Sequence, residues 1–549
     1  MRKIILFFLL FFCSFVWGQD YFLKIDGGVD GGVILKDLQF VERHKNVKLV
    51  VEQANEVLKS VQKMGFLESR FREPMKVNDS TFLFVLDFGR QTKFARIYIG
   101  KENCGVIGFE KEVFDVRIGE VEGFVEDVVG RLESKGFMLA KVRLDVKRVS
   151  NDTLFGDVVI DLERKRMMNV VVVNGMPKFP VGFKKQLERM YRSKTLNKNN
   201  LDKLSASVDQ FGFATQVKYP EVLFGTDKTE VYVYVEKSKS NSFDGFLGFS
   251  SNATSGLELN GYLDLNLQNI LNTGEKMALY WKSNGDGQRD FNLGIELPFV
   301  FDSPIGAQGL LRIFRQDSTF QNTRTNFGLG YYFTAESKLF LGYESTESSD
   351  IQNVNSNLLN DFTSSFFTAE FAFTKQKKLF SEFRESNYLS FKVGTGNRIG
   401  KSETTSQFYG NLSAQYNWQL NEKNFIRLKS AHYYLQSNQY ITNELHRFGG
   451  INSIRGFTEN SLQGNLFSSI ATEYRYYASS SLFVHSIMDY GYFNDPTTGL
   501  SERIIGLGVG LGVATKNGVF NLVYANGSFQ NEAIKLNNSI VQISLKTRF

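Results

Sequence analysis

The residues best placed for work in this chain are charged and lie in its back half. Arg447-Phe448-Gly449-Gly450-Ile451-Asn452-Ser453-Ile454-Arg455-Gly456-Phe457 sits in a long connection between two segments that alternate like strands. Gly449 and Gly450 allow positive φ and close backbone approach. Arg455, set between Ile454 and Gly456, carries a permanent charge and a rigid fork of donors. Such a segment is out of place as an exposed turn, and it makes sense if it folds back inside something and meets a carboxylate there. The chemistry on offer is electrostatic anchoring. Enzyme-like constellations are not found: His44, His432, His446 and His485 are too dispersed for a metal motif. No Gly-x-Ser-x-Gly elbow or phosphate loop appears. We therefore expect no enzyme activity, cofactor or metal.

The elements that must position this loop are strands. From Phe243 onward, turns rich in Asn, Ser, Gly and Asp separate runs of period-two character. Leu257, Leu259, Gly261, Leu263, Leu265 and Leu267 share one face, with Glu258, Asn260, Tyr262, Asp264 and Asn266 on the other. A soluble sandwich can show the same alternation. Its repetition over roughly 300 residues predicts a closed transmembrane barrel with lipid outside and a polar lumen. About sixteen antiparallel strands are expected, an even number as bacterial barrels require. They begin near Phe243, Leu257, Glu275, Arg289, Ala307, Arg324, Lys338, Ser364, Tyr388, Ser406, Asn424, Leu466, Ser481, Ile504, Val519 and Ile540. The Arg455 loop, residues 437–463, then joins the eleventh strand to the twelfth.

Alternation also nominates the acids that could meet the arginine. Tyr474 and Tyr476 facing lipid turn Glu473 and Arg475 inward, and Val484, Met488 and Tyr490 facing out turn Asp489 inward. Gly506, Gly508, Gly510 and Gly512 form an inward stripe that leaves room for a loop against the wall.

Residues 1–18 read as a secretory signal peptide: Arg2 and Lys3, an apolar run from Ile4 to Trp17, and a cut after Gly18. Phe12 before Cys13 argues against lipidation, and the mature chain keeps a single cysteine, Cys104. Mean hydropathy of −0.22 would suggest a soluble protein. It does not exclude a barrel, in which only every second residue meets lipid, and aromatic content of 14% with 48 glycines fits short strands and tight bends. The formal charge of +6 is modest, and no clustered basic stripe points to nucleic acid.

Ahead of the barrel region (239–549) a pattern recurs with a period of roughly 70–75 residues. Its marker is a helix ending in Gly-Phe: Gly65-Phe66, Gly136-Phe137 and Gly212-Phe213. Before each marker, apolar residues fall at helical spacing, as in Val50, Ala54, Val57 or Leu58, and Val61. After each come two strand-like runs, the last being Val231 to Val235 in the third unit. Three small α+β domains are predicted, at 19–91, 92–166 and 167–238.

The loop sequence Gly449-Gly450-x-x-Ser453-Ile454-Arg455-Gly456-Phe457 resembles the loop motif of the BamA/TamA superfamily of outer-membrane insertases. The three repeats resemble POTRA domains, the periplasmic arms of that superfamily. Glu473 with Arg475, and Asp489 with Gly491, resemble its motifs on the two strands after the loop, although Met488 and Tyr490 depart from the common form. The terminal strand, with Val541, Ile543, Leu545, Thr547 and Phe549 on its outward face, is similar to the aromatic end by which outer-membrane barrels are recognised. The resemblance implies that Arg455 pairs with Asp489 and Glu473. It also implies a weak lateral seam between the first and last strands, at Phe243, Gly245, Gly248, Ile543, Leu545 and Phe549. We read the first strand, Phe243 to Ser251, as short.

On this footing the protein is expected to assemble, insert or translocate proteins at the bacterial outer membrane, leaning toward the TamA-like specialists. Its POTRA-like arms would lie in the periplasm. Implied partners are unfolded outer-membrane clients, outer-membrane lipid and accessory proteins of the periplasm or inner membrane. The alternative is a two-partner secretion transporter exporting one dedicated protein through the pore. Such transporters usually carry two POTRA-like units and a plug helix, whereas three units and no obvious plug are read here. A passive porin would need neither the arms nor the loop.

Overall fold

The computed structural model describes residues 20–549, except 37, 253–255, 285–286, 354–355, 357, 379–383, 402, 516–517, 531 and 533–538. Side chains at 29–30, 246–260, 377–378 and 384–385 are likewise outside the description. The expected signal peptide, 1–18, lies outside the described residues. The chain forms two compact bodies, Met1–Met167 with Thr195–Asn199, and Met168–Lys194 with Asn200–Phe549.

The first body holds two α+β units. In the first, the helix Val47–Lys63 starts where the Asn46 side chain accepts the Leu49 amide at 2.9 Å. It buries Val50, Ala54, Val57 and Val61 on one face. It ends where Gly65 takes φ +101° and the Phe66 amide reaches back to the Val61 carbonyl. The Gly-Phe marker is thus a helix stop whose aromatic residue folds onto the helix it terminates. The second unit repeats it, with Gly136 at φ +99° and Phe137 bonded back to Leu132.

Each unit closes its sheet by pairing its first strand in parallel with its last. Tyr21–Asp26 lies on Thr81–Asp87, Phe94–Tyr98 on Thr153–Asp161, and, in the second body, Val170–Asn174 on Thr229–Lys237. Two strands of five residues or more escaped the sequence pattern: Tyr21–Asp26, which opens the first unit, and Val113–Arg117, an edge strand in the second.

The second body joins the third unit to a closed, antiparallel barrel of sixteen strands. Every strand starts within four residues of its expected position; the sixth, ninth and fourteenth show the largest offset, at Phe320, Arg384 and Leu500 rather than Arg324, Tyr388 and Ile504, and the last starts at Ile540. Alternation is cleanest in the thirteenth, Leu482–Asp495, where exposed and buried residues alternate along most of its length. Leu329, Leu341, Phe367, Val509 and Ile543 form part of an exposed outer band. Thr346, Ser348, Ser364, Thr368 and Asn526 are buried inside. An apolar exterior around a polar interior, with every strand paired on both sides, is the arrangement hydrocarbon demands.

The third unit packs on one rim of the barrel. Phe183, on the helix Val181–Tyr191, meets Phe299 edge-on at 4.7 Å and Phe213 at 4.9 Å. Gly274, at φ +81°, must lack a side chain because a Cβ would fall 2.0 Å from that ring. Lys185 pairs with Asp302 at 2.9 Å, and the Gln210 carboxamide accepts the Gln376 amide at 2.6 Å. Tyr331, Phe333, Trp418, Tyr474 and Tyr476 are exposed next to turns on this same rim, as an aromatic belt at one membrane interface would be.

Candidate functional site: an anchored lumenal loop and a short seam

The connection after the eleventh strand, Asn424–Gln436, turns back into the barrel before the twelfth, Leu466–Tyr477. Its stem is a short hairpin, His446–Phe448 on Leu462–Gly464. Gly449, Gly450 and Gly456 all take positive φ, at +109°, +89° and +90°. A Cβ on Gly449 would lie 2.4 Å from the Thr458 carbonyl oxygen, so glycine is required where the tip folds on itself. Ile454 is fully buried among Phe448, Phe467, Phe493 and Ile504, with Phe457 packed against the group. Phe457 also meets Phe529 edge-on at 5.8 Å.

Arg455 is 5% exposed and Asp489, on the thirteenth strand, 1%. The guanidinium grips Asp489 with two bonds, Nε to Oδ2 at 2.8 Å and Nη2 to Oδ1 at 2.5 Å. The Arg455 backbone amide adds a third bond to Oδ2 at 2.9 Å. Its remaining nitrogen, Nη1, bonds Glu473 on the twelfth strand. Glu473 is shared with Arg475, whose Nε and Nη2 lie 2.7 and 2.5 Å from Oε2. Arg427 stands 3.7 Å from the same oxygen. Desolvating an ion is costly, and this network offsets the cost with bidentate, charge-assisted bonds. Arg455 therefore acts as a structural clamp.

The wall is shaped to receive the loop. A Cβ on Gly506 would lie 2.3 Å from the Arg455 carbonyl oxygen, and one on Gly527 2.6 Å from that of Gly456. Three further tethers were not legible in the sequence. Glu459 bonds Tyr280 at 2.9 Å and pairs with Lys282, both on the third strand. Glu444 pairs with Arg398 on the ninth strand and accepts Gln407 from the tenth at 2.8 Å. Asn443 donates to Ser348 on the seventh at 2.7 Å. Partners this distant in sequence leave no periodic signal, because only the closed barrel brings them to the loop.

The join between the first strand, Ser242–Asn252, and the last, Ile540–Arg548, has the opposite character. Contrary to the expectation from its sequence, the first strand is not short: it has eleven residues and pairs with the second along its whole length, Ser242↔Asn266 to Asn252↔Gly256. What is short is its ladder with the last strand, limited to Ser242↔Arg548 and Phe243↔Thr547. The Phe549 amide bonds the Asn241 carbonyl just below, at 3.1 Å. The weakness therefore comes from failed pairing and not from strand length. Of the predicted seam residues, Phe243 sits in the short ladder, while Gly245, Gly248, Ile543 and Leu545 lie beyond it. Phe549 caps its lower end.

The chain thus combines a sixteen-stranded closed barrel, three small α+β units ahead of it in sequence, and a loop clamped in the barrel lumen. No family model matches the sequence, and no curated protein matches it. Among solved structures, CdiB from Acinetobacter baumannii is similar over 91% of this chain and 98% of its own, with 13% identity and a TM-score of 0.50. CdiB from Escherichia coli is similar over 91% and 97%, with 12% identity and a TM-score of 0.50. BamA from Haemophilus ducreyi lacking POTRA domains 1–3 covers 83% of this chain and 99% of its own, at 15% identity and a TM-score of 0.48. The chain shares the fold of the CdiB structures.

Proposed function

We propose that this protein works in the bacterial outer membrane as a protein-assembly or insertion factor. On this reading its POTRA-like units face the periplasm and receive unfolded clients, and the join between the first and last strands is the exit into lipid. One observation supports it above the others: the two-pair ladder of that join beside the eleven-pair ladder on the other side of the same strand. A client barrel can enter hydrocarbon only if its backbone groups stay paired throughout. A strand edge left free at the membrane wall supplies such partners by strand addition.

Ser242→Cys with Arg548→Cys tests the reading, since these positions face each other across the join. The oxidised protein should fold normally yet stop assembling client barrels, and a reductant should restore assembly. Undiminished assembly by the locked protein would overturn the proposal. The second reading, export of one dedicated partner through the lumen, requires the clamped loop to leave its place. Under that reading the locked protein should go on exporting, and conductance should rise when a partner is engaged.

A further inference from the structure

The ladder at the join stops at a specific side chain. Continuing the register of Phe243↔Thr547 by two residues would set Leu545 opposite Gly245, with the Leu545 amide directed at the Gly245 carbonyl. The Leu545 amide instead donates to the Asp244 carboxylate, at 3.3 Å from Oδ1. That same oxygen accepts the Tyr262 hydroxyl, on the second strand, at 2.5 Å. Asp264 stands directly across from Asp244 in the ladder of the first two strands. Like charges so placed repel, which favours an Asp244 side chain turned toward the last strand. A cavity of about 690 Å³ begins here. It is lined by Asp244, by the inward Gln542 and Lys546, and by the outward Val541 and Ile543. Having both faces of the last strand in its lining, it reaches around that strand's edge.

We propose that Asp244 is an edge guard. Its carboxylate substitutes for the Gly245 carbonyl as the acceptor of the Leu545 amide, so the two strands cannot zip further. Inward-pointing charge is a general means of keeping a strand edge from pairing. Here it keeps an edge open within a closed barrel, and the amide it holds is the first that an incoming strand's carbonyl would take over. The inference rests on the proposed role of the join but concerns a separate fact, namely what stops the ladder. Asp244 is a positioning residue in this scheme.

Hydrogen exchange of the full-length protein in lipid vesicles, read at the Ile543 and Leu545 amides, tests it. Asp244→Ala should let the ladder extend and slow exchange at Ile543 by about tenfold, roughly one added hydrogen bond's worth, while Leu545 trades the carboxylate for the Gly245 carbonyl. Asp244→Asn, which keeps an acceptor oxygen, should stay near the parent. Tyr262→Phe, which removes only the orienting hydroxyl, should slow exchange in the same direction by less, and it serves if Asp244→Ala does not fold. Faster or unchanged exchange in both Asp244→Ala and Tyr262→Phe would overturn the guard. Client assembly by Asp244→Ala separates the two proposals. Slowed exchange with undiminished assembly would leave the guard standing and remove the join as the exit.

Discussion

The wall built by the twelfth and thirteenth strands and the join between the sixteenth and the first differ in nearly everything that fixes a backbone. Behind the wall, a buried arginine makes four bonds to two acids, and glycines are placed so that a loop can lie flat against it. At the join, the described residues supply two ladder pairs, the Phe549–Asn241 backbone bond and one side-chain contact. A closed barrel shares its stability around the ring, so a soft join is tolerable only if the ring is held elsewhere. The loop does this by tying the third, seventh, ninth, tenth, twelfth and thirteenth strands to one another across the lumen. Rigidity on one side is what permits weakness on the other.

The contrast can be broken most forcefully at its strong side. Arg455→Ala leaves the buried Asp489 without the guanidinium that grips it and Glu473 with one partner fewer, and should cost about 3–5 kcal/mol, measured by urea unfolding in vesicles with gel mobility as readout. Asp489→Ala added to it should cost less than the sum of the single changes, because the orphaned charge is then gone. A loss under about 1 kcal/mol for Arg455→Ala would mean the clamp is ornamental, since surface pairs are worth that little. Next comes crowding: Gly506→Val drives a side chain into the Arg455 carbonyl and should cost about 1–3 kcal/mol in the same titration. Glu459→Gln keeps a bond to Tyr280 but loses the charge facing Lys282, for about 1 kcal/mol. The smallest effect belongs to the weak side. Phe243→Ala, at a residue 42% exposed, should change stability by less than about 0.5 kcal/mol. A large loss there would erase the distinction between the two regions.

Much of this architecture is legible in the sequence alone. Period-two alternation located the strands because lipid on one face and a polar lumen on the other leave few choices for each residue. The same alternation turned Glu473 and Asp489 inward, which is where Arg455 meets them. What could not be read were pairings between the loop and distant walls, such as Glu459 with Lys282 or Glu444 with Arg398. Nothing local to a loop residue says which strand will face it across a lumen. Gly527 was missed for a related reason: it stands in Tyr524-Ala525-Asn526-Gly527-Ser528 with no repeated glycine to mark it. The error about the first strand is instructive too. Read from the sequence as a short run from Phe243 to Ser251, it runs its full course against the second, and the shortfall lies in pairing with a strand almost 300 residues later. Val113–Arg117 escaped because five residues carrying two charges show too little pattern to distinguish a strand from a turn.

The eighth and ninth strands have seventeen residues each, while the sixteenth has nine and the third eight. At about 3.3 Å per residue and a tilt near 45°, seventeen residues rise about 40 Å and nine about 21 Å, against an apolar band of about 25 Å. The cylinder is therefore cut obliquely, tall at its back and low at the join. In a bilayer of ordinary thickness, hydrocarbon against the low side would have to pinch inward to match it, which would set the thinnest lipid beside the least securely fastened strands.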